Sequence, residues 1–396
     1  MSQAMERLWL KKGEERRLRA GHLWVFSNEV DVSRRALTDC APGDQVTLCD
    51  FMGHPLGSAY VNPSTLISAR IYSRRRDTPL DANLLRERLR SALELRQRIF
   101  KEPWYRLCNG EGDFLPGLVI DRYGPHLVMQ ITTWGMETVA SPFLDVLAEV
   151  ISPKSIFIDG SPDSRALEGL GEDYATFGHF PESLEVRENG LVFHVSGTEG
   201  QKTGWYYDQR INRRIAASYA KDADVLDACC YTGGFGTNAA AAGAASVTFL
   251  DASRPALALA KRNLAANAPD CPGQFLQEDV FDGLERLSTE NRRFSLVILD
   301  PPALIQRRKD IPKGTAAYKR LNQLAAAVLA PGGVLVSASC SHHLPRETLR
   351  TCVALAFGRQ GRLPRILAES GNAPDHPGHA AIPETFYLKC LVAQAP

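Results

Sequence analysis

At 396 residues the chain is too long for one ordinary hydrophobic core, so two or three domains are expected. Hydrophobic residues make up 44% and charged residues 23% of it, as in globular proteins. No apolar run approaches the ~20 residues of a membrane span, and the N-terminus lacks the apolar core of a signal peptide, so a cytoplasmic protein without membrane contact is predicted. The nine cysteines are odd in number and scattered, which indicates neither a disulfide framework nor a metal site.

The net charge is only +1, but basic residues are concentrated in one stretch. Between Arg70 and Lys101 there are ten basic residues and four acidic ones. Such a local excess fits a surface that meets phosphate groups. A solvated helix face accounts for the same pattern equally well.

The first domain, predicted at residues 1–76, is small and mostly β. Short strands at 24–27, 45–48 and 66–72 are separated by turns that contain Pro-Gly and Met-Gly. Basic and aromatic residues are mixed near its start, which suits RNA contacts, although Trp24 and Phe26 alone are typical of a core.

The second domain, predicted at residues 77–190, is α+β. Residues 81–100 have helical spacing with Leu85, Leu89 and Leu93 on one face, so we expect this helix to pack its leucines and expose its arginines. Strands at 118–121, 127–131 and 155–158 and a helix near 138–151 follow. No catalytic constellation occurs here, which favours a spacer or an RNA-docking element.

The third domain, predicted at residues 191–396, alternates strands and helices, which predicts a parallel sheet covered on both faces. Strands are expected at 225–227, 246–251, 274–277, 294–300 and 333–339. A last strand at about 385–393 is expected to be antiparallel. The fold class is therefore α/β, a Rossmann-like domain with a mixed seven-stranded sheet.

The first of these strands leads into a glycine turn and an alanine-rich helix, a pattern typical of nucleotide binding. Tyr231, Gly233 and Gly234 belong to the turn, which is not the Gly-x-Gly-x-x-Gly of dinucleotide sites, and S-adenosylmethionine is the favoured ligand. Acidic residues follow four consecutive strands and converge on one crevice, although any single one could be a helix N-cap. The four residues are Asp227, Asp251, Asp279 and Asp300. We expect Asp251 to bind the ribose of the cofactor and Asp279 to bind the edge of its adenine.

Cys340 ends the fifth strand, next to Asp300 in such a sheet. Addition of a thiolate to carbon 6 of cytosine makes carbon 5 able to accept a methyl group, while Asp300 can hydrogen-bond the N3/N4 edge. The alternative is that Cys340 is a small buried residue. Ala303 follows Asp300-Pro301-Pro302 where enzymes that methylate an adenine nitrogen carry an aromatic residue, so that chemistry is disfavoured.

Motifs along essentially the whole chain are similar to one family. They are Leu23–Ser27, Pro116–Gly124, Gly200–Arg210, Tyr231–Phe235, Asp300–Pro302, Ser339–Ser341, Asp375–Pro377 and Tyr387–Lys389. Together they resemble the RlmI family of 23S rRNA cytosine-5 methyltransferases. The resemblance implies an N-terminal PUA domain, a central α+β domain and a class I methyltransferase domain that uses S-adenosylmethionine. It also implies that Gln209 contacts the cofactor, that Lys202 or Arg210 lies near the RNA and that Cys340 is the nucleophile.

The chain departs from related patterns at two places. Many RNA cytosine-5 methyltransferases carry a second cysteine where this chain has Ala303, so the group that assists elimination is open. The segment after it carries Arg307, Arg308 and Lys309, whose charge indicates a phosphate-contacting loop.

Other functions remain as alternatives: the same cofactor fold acting on another base position, on tRNA or 16S rRNA, or on a small molecule, and an inactive RNA-binding module. The basic N-terminal half argues against a small molecule, and the intact acids with Cys340 argue against an inactive domain. The sequence leaves open which cytosine is modified, whether the partner is free 23S rRNA or a partly assembled large subunit, and whether the protein is a homodimer.

Overall fold

The computed structural model describes residues 4–161, 163–197 and 204–395. The chain forms two compact units, each assembled from separate stretches. Unit 1 comprises Met1–Glu182, Gly197–Trp205 and Pro374–Thr385, and unit 2 comprises Ser183–Ser196, Tyr206–Ala373 and Phe386–Pro396. The two domain boundaries placed at residues 76 and 190 stay a prediction. In the described residues, no helix has the length and apolar character needed to cross a bilayer.

Unit 1 begins with a five-stranded sheet. Its elements are β1 (Glu6–Trp9), α1 (Glu15–Arg19), β2 (Trp24–Phe26), β3 (Gln45–Cys49), β4 (Pro55–Val61) and β5 (Ile67–Ser73). The strand order is β1-β3-β4-β5-β2, with β1 parallel to β3 and the other pairs antiparallel. Alternating side chains such as Val46, Leu48 and Ile71 fill its core. The predicted small β fold is confirmed.

A second five-stranded sheet follows in unit 1. The elements are α2 (Ala82–Ile99), β6 (Trp104–Asn109), β7 (Leu118–Tyr123), β8 (His126–Ile131), α3 (Trp134–Glu137), α4 (Ala140–Ile151), β9 (Ser155–Ile158), α5 (Asp163–Glu168) and β10 (Ala175–Phe177). The strand order is β10-β9-β8-β7-β6. Helix α2 begins at the N-cap Asp81, whose carboxylate accepts the N–H groups of Asn83 and Leu84. Leu85 and Leu89 are buried, as the helical spacing predicts.

Arg90 and Arg98 of α2 are exposed as predicted, but Arg96 is not. Arg96 is completely buried, and its guanidinium forms two hydrogen bonds of 2.5 and 2.7 Å with the Asp113 carboxylate. Arg86 and Arg90 both pair with Glu149 of α4. The pattern of leucines alone cannot reveal these pairs because the acidic partners are distant in sequence. The pairs neutralise part of the local positive charge within unit 1.

Unit 2 begins with a hairpin and ends in a seven-stranded sheet. The elements are β11 (Ser183–Glu188), β12 (Leu191–Ser196), α6 (Arg210–Ala217), β13 (Asp224–Ala228), α7 (Gly234–Ala241), β14 (Ser246–Asp251), α8 (Arg254–Asn267), β15 (Gly273–Gln277), α9 (Val280–Thr289), β16 (Phe294–Leu299), α10 (Ile311–Ala327), β17 (Leu329–Ser339), α11 (Arg346–Arg359), β18 (Arg365–Ser370) and β19 (Lys389–Gln394). The sheet order is β15-β14-β13-β16-β17-β19-β18.

The predicted mixed seven-stranded sheet is confirmed. Strands β13 to β17 are parallel, and β19 is antiparallel to both β17 and β18. The edge strand β18 was not among the expected strands, because it is short and mostly exposed and carries no alternation of buried residues. Successive residues of β13 point to opposite faces: Val225 packs in the core under α6, α7 and α8, and Leu226 in the core under α9, α10 and α11.

Candidate active site

The carboxyl ends of four parallel strands lie side by side at one edge of the seven-stranded sheet. There β13 pairs with β14 on one side and with β16 on the other, so the order of strands reverses at β13. A crevice opens outside the strand ends at such a switch point. Asp227, Asp251, Asp300 and Cys340 all lie at or just beyond these ends, and Asp279 lies two residues beyond the end of the next parallel strand, β15. The fold therefore brings the four predicted acids and the predicted thiol to one edge of the sheet.

The turn after β13 has an uncommon backbone conformation. The φ angles of Cys229, Tyr231 and Gly233 are 61°, 48° and 79°, all in the left-handed region. Residues with a Cβ rarely adopt this region, and those that do cluster at functional sites. A Cβ on Gly233 would lie 2.9 Å from the Cβ of Ala260 in α8. Gly233 is therefore required both by its φ angle and by the close approach of the turn to α8; the buried Gly234 then begins α7.

Asp227 lies under this turn and is completely buried. Its Oδ2 accepts the N–H of Gly236 at 2.7 Å, while Oδ1 has no hydrogen-bond partner within the described residues. Burial raises the pKa of Asp227 to about 7, with a smaller contribution from the negative charge of Asp300 and an opposing one from the Gly236 N–H. A fraction of Asp227 is thus protonated at neutral pH, and its unsatisfied oxygen is a place for a ligand's donor group.

Asp251 and Asp279 are held by backbone donors. The carboxylate of Asp251 accepts the N–H of Tyr231 at 2.8 Å and that of Ser253 at 2.8 Å, so it ties the glycine turn to the end of β14. Asp279 is exposed and is the N-cap of α9, accepting the N–H of Phe281 at 2.8 Å. Their expected contacts with ribose and adenine stay predictions.

Asp300 is held in place by a chain of side-chain hydrogen bonds. Its Oδ1 accepts Nε2 of the buried Gln209 at 2.6 Å. The Oε1 of Gln209 accepts Nδ2 of Asn212 at 2.5 Å, and the Asn212 Oδ1 accepts the hydroxyl of Ser370 at 2.5 Å. Every amide in this chain is fixed in orientation because its oxygen and its nitrogen have different partners. Gln209 is predicted to contact the cofactor. In the structure it donates a hydrogen bond to Asp300, the predicted catalytic carboxylate.

Cys340 lies between two serines that are fixed by one tyrosine. The Tyr318 hydroxyl of α10 forms hydrogen bonds of 2.9 Å with Oγ of Ser339 and of 2.9 Å with Oγ of Ser341. The Ser341 Oγ also accepts the N–H of Ile305 at 3.0 Å. The backbone on both sides of Cys340 is therefore held, while its half-buried Sγ lies 4.0 Å from the carbonyl oxygen of Pro301.

A buried lysine completes this edge of the sheet. Lys389, the first residue of β19, is only 6% exposed and donates from Nζ to the carbonyl oxygen of Ser341 at 2.6 Å. Burial lowers the pKa of Lys389 to about 8. Sequence reasoning assigned it no role, although a lysine at the head of the apolar run Cys390-Leu391-Val392 is a signal that could have found it.

The residues predicted to contact RNA lie in different surroundings. Arg307, Arg308 and Lys309 are exposed on the connection between β16 and α10, a few residues beyond Asp300. Arg210 is buried, pairs with Glu188 at 3.4 Å and stacks over Tyr207, so no exposed guanidinium supports an RNA contact there. Lys202 lies outside the described residues.

Two family models match the chain. The description of the first is a PUA-like domain, matching residues 8–74, and that of the second is an S-adenosylmethionine-dependent methyltransferase, matching residues 172–364. Among curated relatives, ribosomal RNA large subunit methyltransferase I from Pseudoalteromonas atlantica is 35% identical over 393 residues, covering 98% of this chain and 99% of the relative. The protein of the same name from Aeromonas hydrophila is 36% identical over 395 residues, with coverage of 98% and 99%.

Solved structures show the same fold at lower sequence identity. A candidate SAM-dependent methyltransferase from Streptococcus mutans superposes with a TM-score of 0.83 at 20% identity, covering 98% of this chain and 100% of that one. SMU.776, a candidate methyltransferase solved with SAH, gives a TM-score of 0.85 at 21% identity with the same coverage. At these identities the likeness shows the fold alone, over nearly the entire length of both chains.

Proposed function

The chain belongs to the ribosomal RNA large subunit methyltransferase I family, and on that premise we propose that it methylates carbon 5 of a cytosine in 23S rRNA through a covalent bond to Cys340. Its cofactor is S-adenosylmethionine. The observation that carries the proposal is the placement of Cys340: a half-buried thiol at the end of β17, with both neighbouring serines held by Tyr318, beside Asp300 at the end of β16.

The residues at the glycine turn fit the proposed cofactor. The backbone at Gly233 and Gly234 has no side chain that would block a close approach. Asp227 offers an oxygen without a partner among the described residues, and Asp251 stands at the end of the neighbouring strand where a ribose is bound in this fold class. We propose that these residues, with Tyr231 and Asp279, hold the cofactor; when bound, it supplies an electrophilic methyl group.

In the proposed reaction Cys340 acts as a nucleophile on the substrate base. Its thiolate forms a bond to carbon 6 of cytosine, and the electron pair of the C5=C6 double bond becomes available at carbon 5 for the methyl group. Loss of the carbon-5 proton to a base then returns an electron pair to the ring. The C5=C6 bond re-forms, the C6–S bond breaks and the sulfur leaves as a thiolate.

Asp300 is proposed to bind the N3/N4 edge of the same base. Negative charge and protons shift at that edge when sulfur adds to carbon 6, so a hydrogen-bonding carboxyl group there stabilises the adduct. The chain from Gln209 through Asn212 to Ser370 fixes the Oδ1 atom of Asp300. The carboxylate is thus oriented before the base arrives.

The proposed RNA partner follows from the family and from the surface. The exposed residues Arg307, Arg308 and Lys309 lie close in sequence to Asp300 and can contact phosphates that flank the target base. The PUA-like domain at residues 8–74 provides a second surface for RNA. Free 23S rRNA and a partly assembled large subunit are the two substrate forms to compare in a methylation assay.

Replacement of the proposed nucleophile tests the function. Cys340→Ala is expected to bind S-adenosylmethionine as the wild type does in calorimetry, and to transfer no methyl group to 23S rRNA. Cys271→Ala, a half-buried cysteine remote from this edge of the sheet, is the matched control and should retain activity. Bisulfite mapping of 23S rRNA from cells that lack the protein should show one lost 5-methylcytosine. Full activity of Cys340→Ala would refute the covalent mechanism, and an unchanged map would refute the proposed target.

A further inference from the structure

Lys389 reaches across the backbone that carries Cys340. In the register of the sheet it is paired with Ser339, the residue before Cys340, and its Nζ binds the carbonyl oxygen of Ser341, the residue after it. The side chain therefore spans the Ser339–Ser341 segment from one end to the other. The hydrogen bond of 2.6 Å and the burial of Lys389 fix the amine in this place.

A buried ammonium group needs a compensating anion. No carboxylate forms an ion pair with Lys389 in the part of the chain that the structure describes, and one carbonyl oxygen offsets little of the cost of burying a charge. Burial lowers the pKa of Lys389, and the positive charge of Arg346 in α11 lowers it further. Cys340 has the opposite effect and raises this pKa. Arg346 donates to the carbonyl oxygen of Ser370 at 3.0 Å and lies 3.8 Å from Glu369. In the described part of the chain, the ionisable group that favours the charged lysine is Cys340, and Lys389 contacts the residues on both sides of it.

We propose that Lys389 is the charge partner of Cys340, and that its ammonium group stabilises the Cys340 thiolate both before attack and when the sulfur leaves. The inference rests on the proposed function, since it gives a role to the proposed nucleophile. Lys389 is a positioning residue, because it acts through the sulfur and does not need to touch the base.

The proton balance of this pair is simple. The Sγ–H bond breaks, the proton passes to water, and the product is a thiolate beside the ammonium ion of Lys389. No oxidant or further reactant is required. When the C6–S bond of the adduct breaks, the sulfur recovers the same electron pair beside the same cation. A nearby positive charge is the common means of stabilising a reactive thiolate.

The other ionisable groups described near Cys340 include no second cation. Tyr206 lies near both Asp300 and Cys340, and Tyr318 of α10 also lies near Cys340. A tyrosine hydroxyl is neutral at physiological pH, while the carboxylate of Asp300 disfavours a second anion in the same place. The positive charge of Lys389 on β19 offsets this unfavourable effect of Asp300 on the thiolate.

The test measures the ionisation of Cys340 directly, with no RNA present. Full-length protein is alkylated with iodoacetamide between pH 5.5 and 10, and the modified Cys340 peptide is quantified by mass spectrometry, with Cys340→Ser as the blank. The wild-type rate should reach half its maximum at least one pH unit below the ordinary thiol value of about 8.5. In Lys389→Met the profile should move to higher pH, so that alkylation at pH 7 slows about tenfold or more. Lys389→Arg should restore the wild-type profile.

The controls separate ionisation from folding and from function. Lys221→Met, an exposed lysine at the amino end of β13, should leave the profile unchanged. Binding of S-adenosylhomocysteine, measured by calorimetry, reports whether each variant is folded. A wild-type midpoint at or above 8.5 overturns the inference whatever the variants do, and so does a Lys389→Met profile that superposes on the wild type. If the profiles shift as expected while Cys340→Ala still methylates RNA, the inference stands and the proposed function fails.

Discussion

The two halves of the candidate site are built by different means. The half that is proposed to hold the cofactor is shaped by backbone: Gly233 lies too close to α8 for a side chain, and Tyr231 and Cys229 have left-handed φ angles. The half that is proposed to carry the chemistry is shaped by side chains, through the hydrogen bonds that hold Asp300 and the Cys340 segment. Substitutions should therefore impair binding in the first half and turnover in the second.

The largest effect is expected for Gly233→Ala. The added Cβ meets Ala260 at 2.9 Å, and an alanine at a φ of 79° adds strain, so the turn must move. These effects together cost about 2–4 kcal/mol, and the dissociation constant for S-adenosylhomocysteine should rise about a hundredfold. Gly358→Ala is the matched control, because a Cβ there meets nothing within 4 Å. Equal affinities of the two variants, measured by calorimetry, would contradict a turn defined by backbone proximity.

Asp227→Asn should stabilise the cofactor-free protein at neutral and alkaline pH. The pKa of Asp227 is about 7 in the folded protein, above the ordinary value near 4, so the folded state retains the proton over this interval. Wild-type stability should therefore fall relative to the variant as the pH rises from about 4 to about 7, and the difference should then level off at on the order of 2–4 kcal/mol. Thermal unfolding of both proteins at pH 5, 6, 7 and 8 measures it. A difference that does not depend on pH would contradict the burial of this charge.

Gln209→Leu separates the predicted role of Gln209 in cofactor binding from its observed bond to Asp300. Loss of the 2.6 Å hydrogen bond removes one restraint on the carboxylate of Asp300, and we expect kcat to fall about 10- to 100-fold with little change in cofactor affinity. Gln360→Leu, at an exposed position after α11, serves as the control. A large rise in the dissociation constant with an unchanged kcat would assign Gln209 to the cofactor instead.

The smallest effect is expected for Tyr318→Phe. The change removes one hydroxyl group that binds Ser339 and Ser341, and leaves these buried oxygens with fewer partners. A loss of about 1–2 kcal/mol in stability and about tenfold in kcat should follow, without a change in cofactor affinity. Unaltered turnover would show that the backbone beside Cys340 is held without this tyrosine.

The residues predicted for the two halves of the site have local signals in the sequence. The glycine turn, the acids at strand ends and the Ser-Cys-Ser motif can each be recognised within a few residues. The antiparallel last strand was also predicted correctly. Each of these features depends on neighbours in sequence or on the general topology of an α/β sheet.

The residues that hold Asp300 and the Cys340 segment in place could not be predicted, because they come from distant parts of the chain. Gln209 and Asp300 are separated by 91 positions, and Lys389 and Ser341 by 48. The same reason explains the arginines of α2: the partners of Arg86 and Arg96, which are Glu149 and Asp113, lie on other elements. A count of charges along the sequence therefore overestimates the basic surface of unit 1.

The central claim is that Cys340 forms a covalent bond to a cytosine. A 23S rRNA transcript made with 5-fluorocytidine tests it most directly, because methyl transfer to a fluorinated carbon 5 leaves no proton to remove and the adduct cannot be released. With S-adenosylmethionine present, the wild-type protein should form a complex with this RNA that survives denaturing electrophoresis, and peptide mapping should place the bond at Cys340. Absence of the complex, or its formation by Cys340→Ala, would contradict the account.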